Sequence, residues 1–214
     1  MLRTRGPRVT DRGTPVPAPG RNLIRAAALA ALLGLLPVPA GADAPASWWG
    51  QLHVRDLSGA PLNPAARWFV VVFLGQECPV SNVSIPVLNR LAAEFAPKGF
   101  AFIGAYVDPN ADLATLRAHA ADYSVGFPAA DDRAHRLVQV AGATYTPEVA
   151  VFSAGGAKLY GGRIDDRVGE AGAARPAAAH QELRDVLAAL AAGSPGPFKG
   201  HAGYGCAIPE AVRQ

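Results

Sequence analysis

Seven consecutive apolar residues, Trp68–Leu74 (WFVVVFL), constrain this chain more than any other feature. A run of aromatic and β-branched side chains with no polar face reads as a strand buried on both sides, so other elements must cover it above and below. The following segments supply that cover. Residues 78–97 place Val87, Leu88, Leu91 and Phe95 at helical spacing and end at Lys98-Gly99, and residues 100–107 form a second apolar strand. Residues 112–123 put Leu113, Leu116, Ala120 and Tyr123 on one helical face, and 133–141 reads as a shorter helix. Residues 148–153 and 157–161 flank Gly155-Gly156, a hairpin turn. Residues 178–192 form a last amphipathic helix, with Leu183, Val186, Leu187 and Leu190 inward and Gly193 past its end. Helices crossing over between buried strands predict an α/β fold: a central, mainly parallel sheet with an antiparallel edge hairpin and helices on both faces.

The 214 residues, half of them hydrophobic, suffice for one domain with extensions. We divide them into a leader (1–42), an N-terminal extension (43–66), the α/β domain (67–192) and a flexible Gly/Pro-rich tail (193–214). The extension holds a strand candidate at 51–54 and a turn at Ser58-Gly59. In the leader six arginines face Asp11 alone, a net of +5, so the remainder carries 14 basic and 16 acidic side chains, a net of −2. A body so close to neutral has no electrostatic footprint for nucleic acid. Arg21 and Arg25 precede the apolar stretch 26–36, Pro37 and the small-residue site Ala40-Gly41-Ala42, the order of a cleaved export signal. Such a stretch rises about 16 Å as a helix against a hydrocarbon core of about 30 Å, so membrane association would come only through an uncleaved leader. The reading is a periplasmic or secreted protein, in a compartment where disulfides persist.

Cys78 follows the first core strand directly and opens the next helix, with Pro79 behind it. Unpaired backbone N–H groups and the helix dipole favour a thiolate there, and proline suits that turn because it lacks only an N–H that would be unpaired anyway. The alternative is an inert buried cysteine. Cys206, in the tail segment Gly205-Cys206-Ala207-Ile208, is the only other cysteine.

Residues 73–86, with Thr146-Pro147 and the hairpin after it, resemble the thioredoxin superfamily, nearest its redoxin and peroxiredoxin-like (AhpC/TSA-type) branch. Pro86 stands eight residues after Cys78, as the kinking proline of that family does, and Pro147 stands before a core strand, where the family has a cis-proline facing its active cysteine. The segments 75–82 (GQECPVSN) and 160–167 (YGGRIDDR) are similar to segments of exported bacterial redoxin-domain proteins. The resemblance covers roughly residues 51–190. It implies a thioredoxin-like fold, Cys78 as the redox group, and Pro79, Thr146 and Pro147 as the substrate-binding surround. For Pro147 by itself, an ordinary trans turn proline is the alternative.

The sequence departs from that pattern at instructive places. Ser81 stands where thioredoxins have their second cysteine, and Gly75 and Val71 stand where peroxiredoxins have a hydroxyl residue and a proline. A resolving thiol must then come from Cys206 or from another molecule; a permanent structural staple between the two cysteines is the alternative. His53, His119, His135, His180 and His201 show no tight spacing, so no metal site is assigned, and Ser81 removes one thiol from any copper-carrier arrangement. His119 and His180 are expected on solvated helix faces. Asp165-Asp166 between Arg163 and Arg167 reads as a charged loop in which Arg163 pairs with an aspartate. Trp48-Trp49 reads as packing on the sheet edge, with a partner surface as the alternative. The functional expectation is a thiol-based oxidoreductase acting on disulfides or peroxides outside the cytoplasm, without cofactor, recharged by an external reductant. A peroxiredoxin-like peroxidase and a non-catalytic peptide-binding module remain the alternatives.

Overall fold

The structure, a computed structural model, describes residues 47–169 and 175–211. The leader expected at 1–42 lies outside the described residues.

Strand β1 (Trp68–Leu74) is buried along its whole length and lies at the centre of a five-stranded sheet. On one side it pairs in parallel with β2 (Phe100–Tyr106), which pairs in parallel with β3 (Ala129–Asp131). On the other side it pairs antiparallel with β5 (Glu148–Ser153), which forms a hairpin with β6 (Lys158–Gly162). The sheet order is therefore β3-β2-β1-β5-β6. The period of two along β1 sorts its side chains into two cores. Val70, Val72 and Leu74 face a layer from α2 (Pro79–Phe95) and α5 (Glu182–Ala191), including Leu88, Leu91, Phe95, Leu183 and Leu187. Phe69, Val71 and Phe73 face Trp49 from α1 (Trp48–Gln51) and Leu137 and Ala141 from α4 (Arg136–Ala141). Helix α3 (Leu113–Asp122) adds Leu116 to the first layer.

The strand expected at 51–54 is absent. Residues 48–51 form a short helix capped by the Ser47 hydroxyl instead, because Trp49 stacks on Phe69 at 4.9 Å and donates its indole N–H to Leu62 O at 2.6 Å. The turn at Ser58-Gly59 forms around the Asp56 carboxylate, which accepts from Ser58 N and Ala60 N.

Several helices start later than their apolar spacing predicts, each for a side-chain reason. The Asp132 carboxylate takes Leu137 N and Val138 N, which sets the start of α4 at Arg136 rather than 133. The Asp166 carboxylate takes Ala179 N and His180 N and keeps 178–181 out of α5. Strand β3, three residues long, is too short to show a period in the sequence.

The tail returns to the sheet. Phe198 N donates to Leu159 O at 2.7 Å, Arg163 N donates to His201 O at 2.9 Å, and β7 (Cys206–Ala207) pairs antiparallel with β4 (Tyr145–Thr146). The glycines read as flexibility in the sequence serve another purpose. A Cβ on Gly200 would collide with Gly161 O, and one on Gly205 with Thr146 O. Glycine here permits close backbone approach.

Candidate functional site

Cys78 caps the N-terminus of α2 with an extended backbone (φ −84°, ψ 109°), and Pro79 opens the helix behind it. A turn closed by Cys78 N donating to Gly75 O at 3.1 Å delivers the residue from β1, and Asn82 N returns the first helical bond to Cys78 O. Only 2% of the cysteine is exposed. Its Sγ donates to Thr146 O at 3.1 Å, and the Thr146–Pro147 peptide is cis.

The same spot receives the tail. In the β4–β7 pair Thr146 stands opposite Cys206, and Thr146 Oγ1 donates to Cys206 O at 3.4 Å. The two cysteines line the same cleft, and neither is in a disulfide. The structure thus brings Cys78, Pro79, Thr146, Pro147 and Cys206 together at one point. A cleft of about 280 Å³ opens there, with Gln76, Glu77, Asp108 and Cys206 among its walls.

The electrostatics separate the two thiols. Burial alone would push the Cys78 thiol up, but donors outweigh it: the Cys206 thiol, the Thr146 hydroxyl, and the Ser81 N–H and hydroxyl. Together they bring the pKa down from 9.0 to about 7. Burial, then the hydrogen bond to Cys78 and its charge, push Cys206 up to about 11. As pH rises Cys78 therefore loses its proton before Cys206 does. The backbone N–H expected from the helix start is one of these donors, but the side-chain donors from the tail and from Thr146 act more strongly.

Behind the Cys78 loop lies a polar network that the sequence does not announce. His119 is buried, not solvated as expected, because Tyr106 and Asn82 both claim its ring. Tyr106 Oη lies 2.8 Å from Nδ1, and Nε2 lies 2.9 Å from Asn82 Oδ1. Since Asn82 Oδ1 only accepts, the network assigns the proton to Nε2 and makes Tyr106 the donor to Nδ1. Burial lowers the His119 pKa, against the opposing charge of Asp122. Asn82 Nδ2 donates to Gln76 O at 3.4 Å, and Gln76 Nε2 donates to Asp108 Oδ2 at 2.7 Å. Buried Gln76 Oε1 has no hydrogen-bond partner among the described residues. The sequence hint was the i, i+4 spacing that places Asn82 one turn beyond Cys78.

The charged loop after β6 is structural. Arg163 pairs with Glu182 (Nε to Oε1 2.8 Å) rather than with an aspartate, because α5 presents Glu182 at its first turn. Asp165 holds Arg167 at 2.7 Å, and Asp166 holds Arg175 at 2.6 Å. Among the described residues no group of three or more His, Cys, Asp or Glu side chains is placed to hold a metal ion. No helix among them is long and apolar enough to cross a membrane.

The sequence model of the AhpC/TSA family matches residues 43–160. No curated protein matches the chain. An uncharacterized conserved protein of Geobacillus kaustophilus superposes with a TM-score of 0.63 at 22% identity, covering 76% of this chain and 89% of its own. A hypothetical protein of Sinorhizobium meliloti gives 0.62 at 21%, covering 72% and 88%. A secreted disulfide oxidoreductase of Mycobacterium tuberculosis gives 0.48 at 22%, covering 65% and 97%. What the first two share with this chain is the fold.

Proposed function

The chain belongs to the AhpC/TSA family, and from that premise we propose that it is a thiol-based oxidoreductase in which Cys78 attacks and Cys206 resolves. The observation that carries this reading is the convergence of the two cysteines: Cys206 stands opposite Thr146, whose carbonyl accepts from the Cys78 thiol, and both cysteines line one cleft.

With a peroxide, the Cys78 thiolate attacks one oxygen, the O–O bond breaks, and the departing oxygen takes a proton and leaves as alcohol or water. Cys78 becomes a sulfenic acid. The Cys206 sulfur then attacks the Cys78 sulfur, the S–S bond forms, and hydroxide leaves with the Cys206 proton as water. With a disulfide, Cys78 forms a mixed disulfide and expels one thiolate; Cys206 attacks the Cys78 sulfur and expels the second. Either way the substrate gains two electrons, and an external dithiol returns them to the protein. The order of events is built in. While Cys78 is a thiolate, its charge and hydrogen bond help keep Cys206 protonated; oxidation of Cys78 removes both and frees Cys206 to attack.

Peroxide chemistry gains support from Gly75. A Cβ there would meet Thr146 Oγ1 at 3.0 Å and the Cys78 Cβ at 3.2 Å, so the glycine makes room for the Thr146 hydroxyl beside the sulfur. Thr146 supplies the hydroxyl that residue 75 lacks. The export signal expected at residues 1–42 supports action outside the cytoplasm.

The test is oxidation with one equivalent of hydrogen peroxide or of a small disulfide, followed by peptide mapping. A Cys78–Cys206 disulfide within one chain is expected. Cys206→Ser should complete one turnover and stop with Cys78 as a sulfenate or mixed disulfide. A Cys206→Ser protein that turns over normally, or both thiols found free after the oxidant is consumed, overturns the resolving role.

A further inference from the structure

Beside Cys78, the backbone edge 144–146 is where an extended chain can pair next to the thiol. The protein's own tail already occupies it. Ile208 N donates to Thr144 O at 3.0 Å, Ala207 and Cys206 stand opposite Tyr145 and Thr146, and Gly203 N donates to Tyr145 Oη at 2.9 Å. Ile208 packs against the apolar layer that holds Trp49 and Leu137. The fit leaves no slack: a Cβ on Gly203 would come within 2.7 Å of the Arg163 Cβ, and one on Gly205 would collide with Thr146 O. Residues 198–208 thus form a strap tied to β6 at one end and β4 at the other.

We propose that this strap fills the groove a polypeptide substrate would need, so that the closed enzyme accepts only low-molecular-weight oxidants, a hydroperoxide or a small disulfide, and not protein disulfides. The inference rests on the redox reading of Cys78 and names the substrate class for it. Recognition of an extended chain by strand addition draws its affinity from main-chain hydrogen bonds. Those hydrogen-bonding positions on Thr144 and its neighbours are spent on the tail. The route left open is the cleft of about 280 Å³ past Gln76, Glu77 and Asp108. That volume lies at the lower edge of the roughly 300–1,000 Å³ of ordinary small-molecule pockets, room for a small oxidant but not for a folded protein. A folded protein, whose disulfide is flanked by its own backbone, would have to displace a strap held at several points.

The experiment measures the first, stoichiometric step: reaction of reduced full-length protein with hydrogen peroxide, with cystamine, and with insulin as a protein disulfide. Each rate is divided by that of a free reference thiol with the same oxidant. The normalised rate with cystamine or peroxide should exceed that with insulin by at least about 100-fold. Gly205→Ala and, independently, Ile208→Pro, which removes the N–H bonded to Thr144, should lower the ratio of the cystamine rate to the insulin rate by at least about tenfold. Both oxidants of that ratio meet the same thiolate, so the ratio is insensitive to any change in Cys78 ionisation. Amide exchange at Gly203, whose N–H donates to Tyr145 Oη, reports whether the strap has lifted. The proposal is overturned if insulin matches the small oxidants in the unmodified protein. It is equally overturned if the ratio holds in a variant whose Gly203 amide has lost protection. A Cys78 inert to all three oxidants would instead bring down the redox reading itself.

Discussion

Replacing Cys206 by alanine removes the strongest of the donors that hold Cys78 ionised and leaves Cys78 as the sole thiol, so its titration can be followed without ambiguity. In the unmodified protein a pKa of about 7, against the ordinary 9.0, means that roughly half of Cys78 is thiolate at pH 7 rather than about 1%, a gain of about 50-fold. A thiolate of lower pKa is also a weaker nucleophile. With a Brønsted slope of about 0.45, two pH units cost about eightfold, so the net advantage near neutrality is only about sixfold. The shape of the pH–rate profile is therefore a sharper test than the rate. A hydrogen bond to a charged group contributes about 1.5–3 kcal/mol, which at about 1.4 kcal/mol per pH unit moves the midpoint by about one to two units. Alkylation of Cys78 by iodoacetamide, followed by intact mass from pH 5 to 10, should show a midpoint near 7 in the unmodified protein. Cys206→Ala should shift it up by that amount, while Cys206→Ser, which keeps a donor, should shift it less. A midpoint near 9 in the unmodified protein, or no movement in Cys206→Ala, refutes the assignment of charge and proton within the pair.

Trp49, 1% exposed and stacked on Phe69, anchors the N-terminal extension on the sheet; Trp49→Ala should cost about 3–5 kcal/mol, read by urea denaturation, and a loss under 1 kcal/mol would contradict that anchoring. His119 has a folded-state pKa depressed below 6.5, so as pH falls through 6.5 the unfolded chain takes up the proton first and stability drops. Melting between pH 7.5 and 5.5 should show a steeper fall in the unmodified protein than in His119→Gln; equal slopes would remove the buried neutral ring from the account. Intact mass of protein from the native host should show loss of about the first 42 residues, and a full-length product found in the cytoplasm would contradict the export reading.

The elements built on local patterns were legible without a structure. Trp68–Leu74 appears as the central strand with the bounds its apolar run predicts, and Gly155-Gly156 turns the hairpin, because strand period and turn chemistry depend on neighbours in sequence. The start of α2 behind Cys78 was equally plain, since Pro79 suits a first helical turn, where the N–H it lacks would be unpaired anyway. Helix starts set by remote carboxylates, as Asp132 does for α4, could not be read, because the acceptor that stops the pattern is not part of it. The burial of His119 had the same cause: a histidine on a helix face is solvated or buried according to what the sheet places opposite, here Tyr106. Most of the site belongs to this second kind. The placement of Cys78 for reaction was visible from its position after the strand, but its proton affinity is decided by Thr146 and Cys206, which reach it only through tertiary structure. The tail shows the difference most clearly. Its glycines look the same in sequence whether they loosen a chain or let two backbones touch, and only the packed neighbour, Thr146 O against Gly205, decides which.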